Sequence, residues 1–290
     1  MAVINFLSDN SAAFQLLVIL IGLVVGSFLN VVIHRLPKMM EQQWHRDCDE
    51  LKGTTTEELQ EQTYNLNTPA SHCPKCQHKI RPWENIPVIS WLMLRGRCSN
   101  CKSPISARYP IIEAVTGLLS FWVAFHFGFS WETAAALLLT WSLIALTVID
   151  FDVQLLPDNI TLPFLWFGLL VNLGGLFTDL ESAVIGAIAG YMALWSVYQV
   201  FKKLTGKEGM GYGDFKLLAM LGAWLGWQYL PQIILLSALV GAVVGILLIV
   251  VRGRDRNIPI PFGPYLAAAG WISLMWGAQI NQAYLRWSGL

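Results

Sequence analysis

Charge is scarce in this chain. Only 13% of its 290 residues are Asp, Glu, Lys or Arg, against about 25% in ordinary soluble domains. Positive and negative residues number 19 each, so the formal net charge is zero and no basic excess is left for nucleic acid. Lys and Arg are missing altogether ahead of Arg35, which removes the basic flank a cleavable signal peptide needs. None of the usual serine, cysteine or metal-hydrolase motifs occurs. Cysteine is limited to five residues, all in one segment.

What the chain has in quantity is apolar sequence, 55% of it, with 13 tryptophans. A bilayer crossing takes about 20 such residues. Spans are expected near 14–34, 111–129, 132–150, 159–178, 182–202, 214–229, 231–251 and 261–280. The first of these is too long for a signal-peptide core and reads as a retained span. The expected fold class is an all-α polytopic membrane protein with about eight transmembrane helices. Basic residues set its orientation. Eleven of the 19 Lys and Arg lie between Arg35 and Arg108, Lys202, Lys203, Lys207 and Lys216 flank one later loop, and Arg252, Arg254 and Arg256 follow the seventh span. Loops 127–132, 178–182 and 227–231 contain none. Eight spans put all the basic loops on one side, so those loops face the cytoplasm and both termini lie outside.

The long polar segment falls at about 37–108, giving a small cytoplasmic insertion after the first helix. It holds Cys73-x-x-Cys76 ("CPKC") and Cys98-x-x-Cys101 ("CSNC"), with 21 residues between the pairs. Two such turns complete a tetrahedral sulfur site, and the gap slightly exceeds the usual ribbon spacing of about 15–20. A structural zinc is the expected occupant, holding together a domain too small for its own core. A disulfide scaffold conflicts with the cytoplasmic placement. Cys48 is left over as an ordinary thiol, and His72 and His78 flank the first pair without being needed. No glycine-rich nucleotide fingerprint occurs in the insertion.

Two acidic stretches stand out against the low charge. Residues 146–161 read "LTVIDFDVQLLPDNIT" and place Asp150, Asp152 and Asp158 where the third span meets the fourth. Residues 209–218, "GMGYGDFKLL", place Asp214 on the same membrane side. No basic residue lies in the first loop to neutralise its acids. Each acid has an unremarkable reading: Asp158 and Asp214 as helix starts, Asp152 as a solvated loop charge, Asp150 as a helix end in interfacial water. Together, Asp150 and Asp214 point to a shared site. Two carboxyl groups in one pocket hold one proton between them; the ionised member then takes a proton from water while the other donates to a scissile carbonyl. Gly209, Gly211 and Gly213 would permit close backbone approach and positive φ where Asp214 is aimed.

"GYGD" with "DFDVQLLPD" resembles the bacterial type IV prepilin peptidases, a family of GxGD aspartic proteases. "GSFLNVVIHRLP" (26–37), the paired CxxC turns and "RYPIIEAVTGLL" (108–119) resemble the long, bifunctional form of that family. The resemblance covers almost the whole chain. It implies Asp150 and Asp214 as the catalytic dyad, with Gly211 and Gly213 in the supporting loop. It also implies prepilins and type II secretion pseudopilins as substrates, cut at the cytoplasmic face of the bacterial inner membrane, and methylation of the new N-terminus with S-adenosylmethionine. Candidates for the methyl-transfer region are Glu113, Asn30, Gly26 and Gly96, with His34 and Arg35 nearby. The implied division is a first span over 1–36, a zinc-binding, methyltransferase-associated insertion over 37–110 and a protease core over 111–290. A peptidase that cleaves without methylating is one alternative; a transporter using Asp150 and Asp214 as ion ligands is another.

Overall fold

The structure, a computed structural model, describes residues 2–53, 64–252 and 260–288. Among these every long element is helical: α1 (Ala2–Asp9), α2 (Ser11–Leu51), α3 (Ile89–Met93), α4 (Arg108–Phe127), α5 (Trp131–Val153), α6 (Asp158–Asn172), α7 (Leu180–Thr205), α8 (Tyr212–Leu225), α9 (Leu230–Arg252) and α10 (Gly263–Ser288). The chain forms two compact units, Met1–Phe129 and Ser130–Leu290. Five stretches among the described residues are long and apolar enough to cross a membrane: α2, α4, α5, α7 and Trp227–Val251. The other three expected spans coincide with α6, α8 and α10. The first two have 15 and 14 residues, and α10 is interrupted by non-helical backbone at Trp276.

In the first unit, α2 and α4 pack through small residues. A side chain at Gly22 would strike Ser120, and one at Gly26 would strike the Glu113 backbone and Thr116. Such contacts let two apolar helices approach closely where lipid supplies no hydrophobic drive. Asn10 caps α2 by accepting from the Ala13 N–H at 3.1 Å. The helix does not end with its apolar run but continues past Pro37 to Leu51. Those later residues are good helix formers, and Gln43 donates to Asp47 one turn on. The start of the polar insertion is therefore helical, where a hydropathy count places only the end of a span.

The second unit is built around α8. From Phe215 to Leu225 nearly every α8 side chain is buried, as expected of a helix apolar all round. Gly186 and Gly190 of α7 sit against the backbone of Gly222 and Leu218, too close for any added side chain. Asn172, at the end of α6, donates to the Ala223 and Trp224 carbonyls, both at 2.9 Å. Trp224 donates back to the Phe164 carbonyl of α6 at 2.8 Å. Gly226, at φ 86°, ends α8 in a conformation other residues resist. On another side, Trp271 of α10 donates to Thr140 of α5 at 3.1 Å. These bonds tie the C-terminal end of α8 to α6 and tie α10 to the middle of α5.

Candidate active site and metal centre

Asp150 lies in the last turn of α5 and Asp214 in the first turn of α8. α5 ends because Gln154 turns left-handed at φ 54°, its N–H returning to the Asp150 carbonyl at 3.0 Å. Gly211 caps α8 without a side chain. Both carboxyl groups are buried, Asp150 5% and Asp214 7% exposed. The Oδ2 of Asp150 is shut from solvent and has no hydrogen-bond partner among the described residues. A buried carboxyl oxygen left without a donor is costly.

Leu156 and two glycines shape the space between the acids. A Cβ added to Gly213 would lie 2.8 Å from the Leu156 Cβ, and one added to Gly263 would lie 2.6 Å from Asp150 Oδ2 and 3.1 Å from Leu156 Cδ1. Gly263, the first residue of α10, thus borders the dyad, although nothing in the local sequence pointed to it. Gly209 abuts the ring of Phe201, while Gly211 has open space, its nearest neighbour being Asp214 Oδ2 at 3.9 Å. The positive φ expected of this loop is not found: Gly211 has φ −80°, and Gly209 and Gly213 are not among the left-handed residues. What Gly213 supplies is close approach. Tyr198, Tyr212 and Phe215 make an aromatic wall beside Asp214, with ring centroids 5.4 to 5.6 Å apart.

The neighbouring acids play other parts. Asp158, the first residue of α6, accepts two hydrogen bonds from Lys216 Nζ at 2.7 and 2.8 Å. A basic residue does pair with one of these acids, Asp158, but it comes from α8 and not from the acidic loop. Asp152 is exposed.

In the first unit Cys73, Cys76, Cys98 and Cys101 gather with their sulfurs all within 4.8 Å of one another. The Cys73–Cys101 and Cys76–Cys98 separations are 3.8 and 3.9 Å. A tetrahedron with zinc–sulfur bonds of about 2.3 Å has edges of about 3.8 Å, so the donor set fits zinc. The two turns are built alike. Gln77 and Lys102, each just after the second cysteine, have φ 58° and 60°, and the Cys73 and Cys98 N–H groups bond to the His78 and Ser103 carbonyls. The backbone N–H groups of Cys76 and Lys75 hold the Cys73 thiol down to about 6, favouring the thiolate a metal requires. Cys48 is exposed on α2, outside the group. His72 and His78 are outside it as well; His78 pairs with Glu84 at 3.3 Å.

The residues proposed for methyl transfer divide into two places. Gly26, Asn30 and Glu113 meet where α2 crosses α4: Asn30 Nδ2 donates to the Gly26 and Tyr109 carbonyls, each at 3.2 Å. Glu113 Oε2 accepts from the Val88 N–H at 2.7 Å. Gly96 lies in the insertion at φ 66°, its Cα face against the ring of Trp91. His34 contacts Lys38. Arg35 is buried and donates to the carbonyls of Asn65, Leu66 and Pro69, fastening the 65–69 loop to α2.

The bacterial peptidase A24 N-terminal domain matches residues 20–127 and the type IV leader peptidase family matches residues 137–246. Similar proteins include the prepilin leader peptidase/N-methyltransferase of Pseudomonas aeruginosa, 57% identical over 100% of this chain and 99% of that protein. The protein of the same description from Stutzerimonas stutzeri is 57% identical over the full length of both. That from Aeromonas hydrophila is 60% identical over 93% of each. No solved structure matches the chain. On this similarity, which runs from end to end, the chain belongs to the type IV leader peptidase family.

Proposed function

We propose that this chain is a bifunctional membrane enzyme that removes the basic leader of prepilins and pseudopilins and then N-methylates the exposed residue. What supports the peptidase half is the burial of Asp150 and Asp214 on either side of Leu156, with an unpartnered oxygen on Asp150. One carboxylate takes a proton from an attacking water; the other, protonated, donates to the carbonyl oxygen of the scissile peptide. The proton taken from water then passes to the leaving amine as the C–N bond breaks, the gem-diol hydroxyl returns its proton to the other carboxylate, and the dyad regains its shared-proton state. No covalent intermediate forms. Leu156 and Gly263 hold the Asp150 carboxyl in place, and Gly213 lets Asp214 approach.

In this reading α6, α8 and α10 join the five apolar stretches to make eight crossings in the bacterial inner membrane. The dyad, the basic loops and the four cysteines then share the cytoplasmic side. The four thiolates hold a structural zinc that folds the insertion. S-adenosylmethionine, when bound, supplies an electrophilic methyl group. Gly26, Asn30, Glu113 and Gly96 mark the region that receives the new N-terminus, with Glu113 as the carboxylate facing its ammonium. The similar proteins share both activities in their descriptions, and the cysteine cluster lies in the half that peptide hydrolysis does not use. A transporter would need neither the cysteines nor the glycine at Asp150.

The test is incubation of the detergent-extracted protein with a prepilin and labelled S-adenosylmethionine, followed by mass measurement of the product. Loss of the leader with gain of one methyl is expected. Leader loss alone leaves a simple peptidase, and an intact prepilin refutes the proposal.

A further inference from the structure

The insertion carries a feature that neither zinc nor methyl transfer uses. Ile80, Trp83, Ile86, Ile89, Leu92 and Met93 are all exposed, Leu92 by 61% and Met93 by 78%. Such crowding of large apolar side chains on a polar segment marks an interaction surface. Charge surrounds it with one sign. Lys75, Lys79, Arg81, Arg95 and Arg97 are exposed nearby, and the single acid between residues 71 and 108 is Glu84. Glu84 is already engaged, accepting from the Arg81 N–H at 2.9 Å and pairing with His78. The Arg81 guanidinium lies over the Trp83 ring at 5.5 Å.

The position of this surface comes from Val88. Its N–H bonds to Glu113, which lies five residues into α4, about 7 Å along the helix axis from Arg108. Val88 itself has φ 60°, a strained conformation for a β-branched residue, so the bond to a buried carboxylate fixes a turn that would otherwise relax. The surface thus sits level with the first turns of an apolar, membrane-crossing helix. On α4 at the same level and below, Ile111, Val115 and Leu118 are exposed as well.

We infer that residues 80–93 are a membrane-seated wedge: their apolar side chains enter the headgroup boundary of the leaflet where α4 begins, with Lys79, Arg81, Arg95 and Arg97 against anionic lipid headgroups. An apolar face with a tryptophan and a basic rim is the composition of an interfacial element, and each basic residue near an anionic surface adds attraction. The partner is the lipid surface itself. The inference rests on the proposed crossing of α4 and not on the peptidase assignment.

Nitroxide accessibility tests it on the full-length, zinc-loaded protein in nanodiscs of phosphatidylcholine mixed with phosphatidylglycerol. A label on Met93→Cys, in a Cys48→Ser background, is compared with a label on the native, exposed Cys48 and with one on Leu239→Cys in α9. Bound zinc shields the four knuckle thiols, and zinc content verifies that each variant has folded. The Met93 label is expected to collide severalfold more with oxygen than with an aqueous nickel chelate, as the Leu239 label does and the Cys48 label does not. Leu92→Cys is expected to behave like Met93→Cys. Replacing phosphatidylglycerol by phosphatidylcholine should lower the preference for oxygen. A Met93 label as open to the chelate as Cys48 overturns the inference, as does one closed to both reagents, the result a protein contact gives. A preference indifferent to phosphatidylglycerol overturns the headgroup part. Prepilin cleavage by the same samples is scored separately, so failure of the wedge and failure of the peptidase reading are told apart.

Discussion

Adding one methyl group at Gly263 should disable the dyad without touching either acid. The Cβ of Gly263→Ala would fall 2.6 Å from Asp150 Oδ2 and 3.2 Å from its Cγ, whereas non-bonded carbon contacts settle at about 3.5 Å or more. The carboxyl group must retreat by roughly 1 Å, and Leu156, 3.1 Å from the same point, limits where it can go. A displacement of about 1 Å in a reacting group costs on the order of 100-fold in rate, equivalent to about 2.7 kcal/mol of transition-state stabilisation. The assay is the initial rate of prepilin cleavage by purified Gly263→Ala, with thermal unfolding recorded alongside. Gly174→Ala serves as the control, because the nearest atom to its Cβ, the Val171 carbonyl oxygen, lies at an ordinary 3.8 Å. Cleavage by Gly263→Ala at the wild-type rate would refute the claim that Asp150 is held where catalysis needs it. A fall shared equally by Gly174→Ala would show only general fragility.

Asp150→Asn and Asp214→Asn should each leave a folded protein whose cleavage falls by roughly 10² to 10⁴ or more; trimming at a normal rate by either would remove the dyad. Cys73→Ser should lower bound zinc, read by metal analysis of the purified protein, and unchanged zinc would refute the four-sulfur site. Glu113→Gln keeps an oxygen to accept from Val88 but loses the charge, so methylation should fall while cleavage persists, as read from product masses; full methylation would discard Glu113 as the ammonium partner. Lys216→Met breaks the bond to Asp158, which is partly open to solvent. It should cost about 0 to 1 kcal/mol by thermal unfolding and leave cleavage within a few-fold of normal.

The parts of the site that were legible in sequence are those announced by scarcity or by spacing. Asp150 and Asp214 stood out because acids are rare beside apolar runs, and the four cysteines because two CxxC turns have few other uses. Gly263 was hidden, since it meets Asp150 only through the return of α10, and nothing about a glycine before a proline reveals what it faces. Lys216 was hidden in the same way. Its partner Asp158 lies on another helix, so the acidic loop looked uncompensated when read alone. Val88 could not be picked out either, because its backbone angle and its bond to Glu113 are tertiary facts. The helical start of the insertion was not legible because hydropathy measures what lipid tolerates, whereas helix propensity carries α2 on to Leu51.

The brevity of α8 has a consequence for what this protein can attack. Its 14 residues reach about 21 Å, some 9 Å less than a bilayer's hydrocarbon layer. If α8 crosses as the proposed eight-span reading has it, with Gly226 at the far boundary, the end bearing Asp214 falls below the near one. A folded protein outside cannot lower a peptide bond to that depth. A chain already threaded through the same bilayer can, if its backbone unwinds just where it emerges. On that reading, depth alone would set membrane-threaded chains apart from bystander proteins, before any side chain of the victim is read.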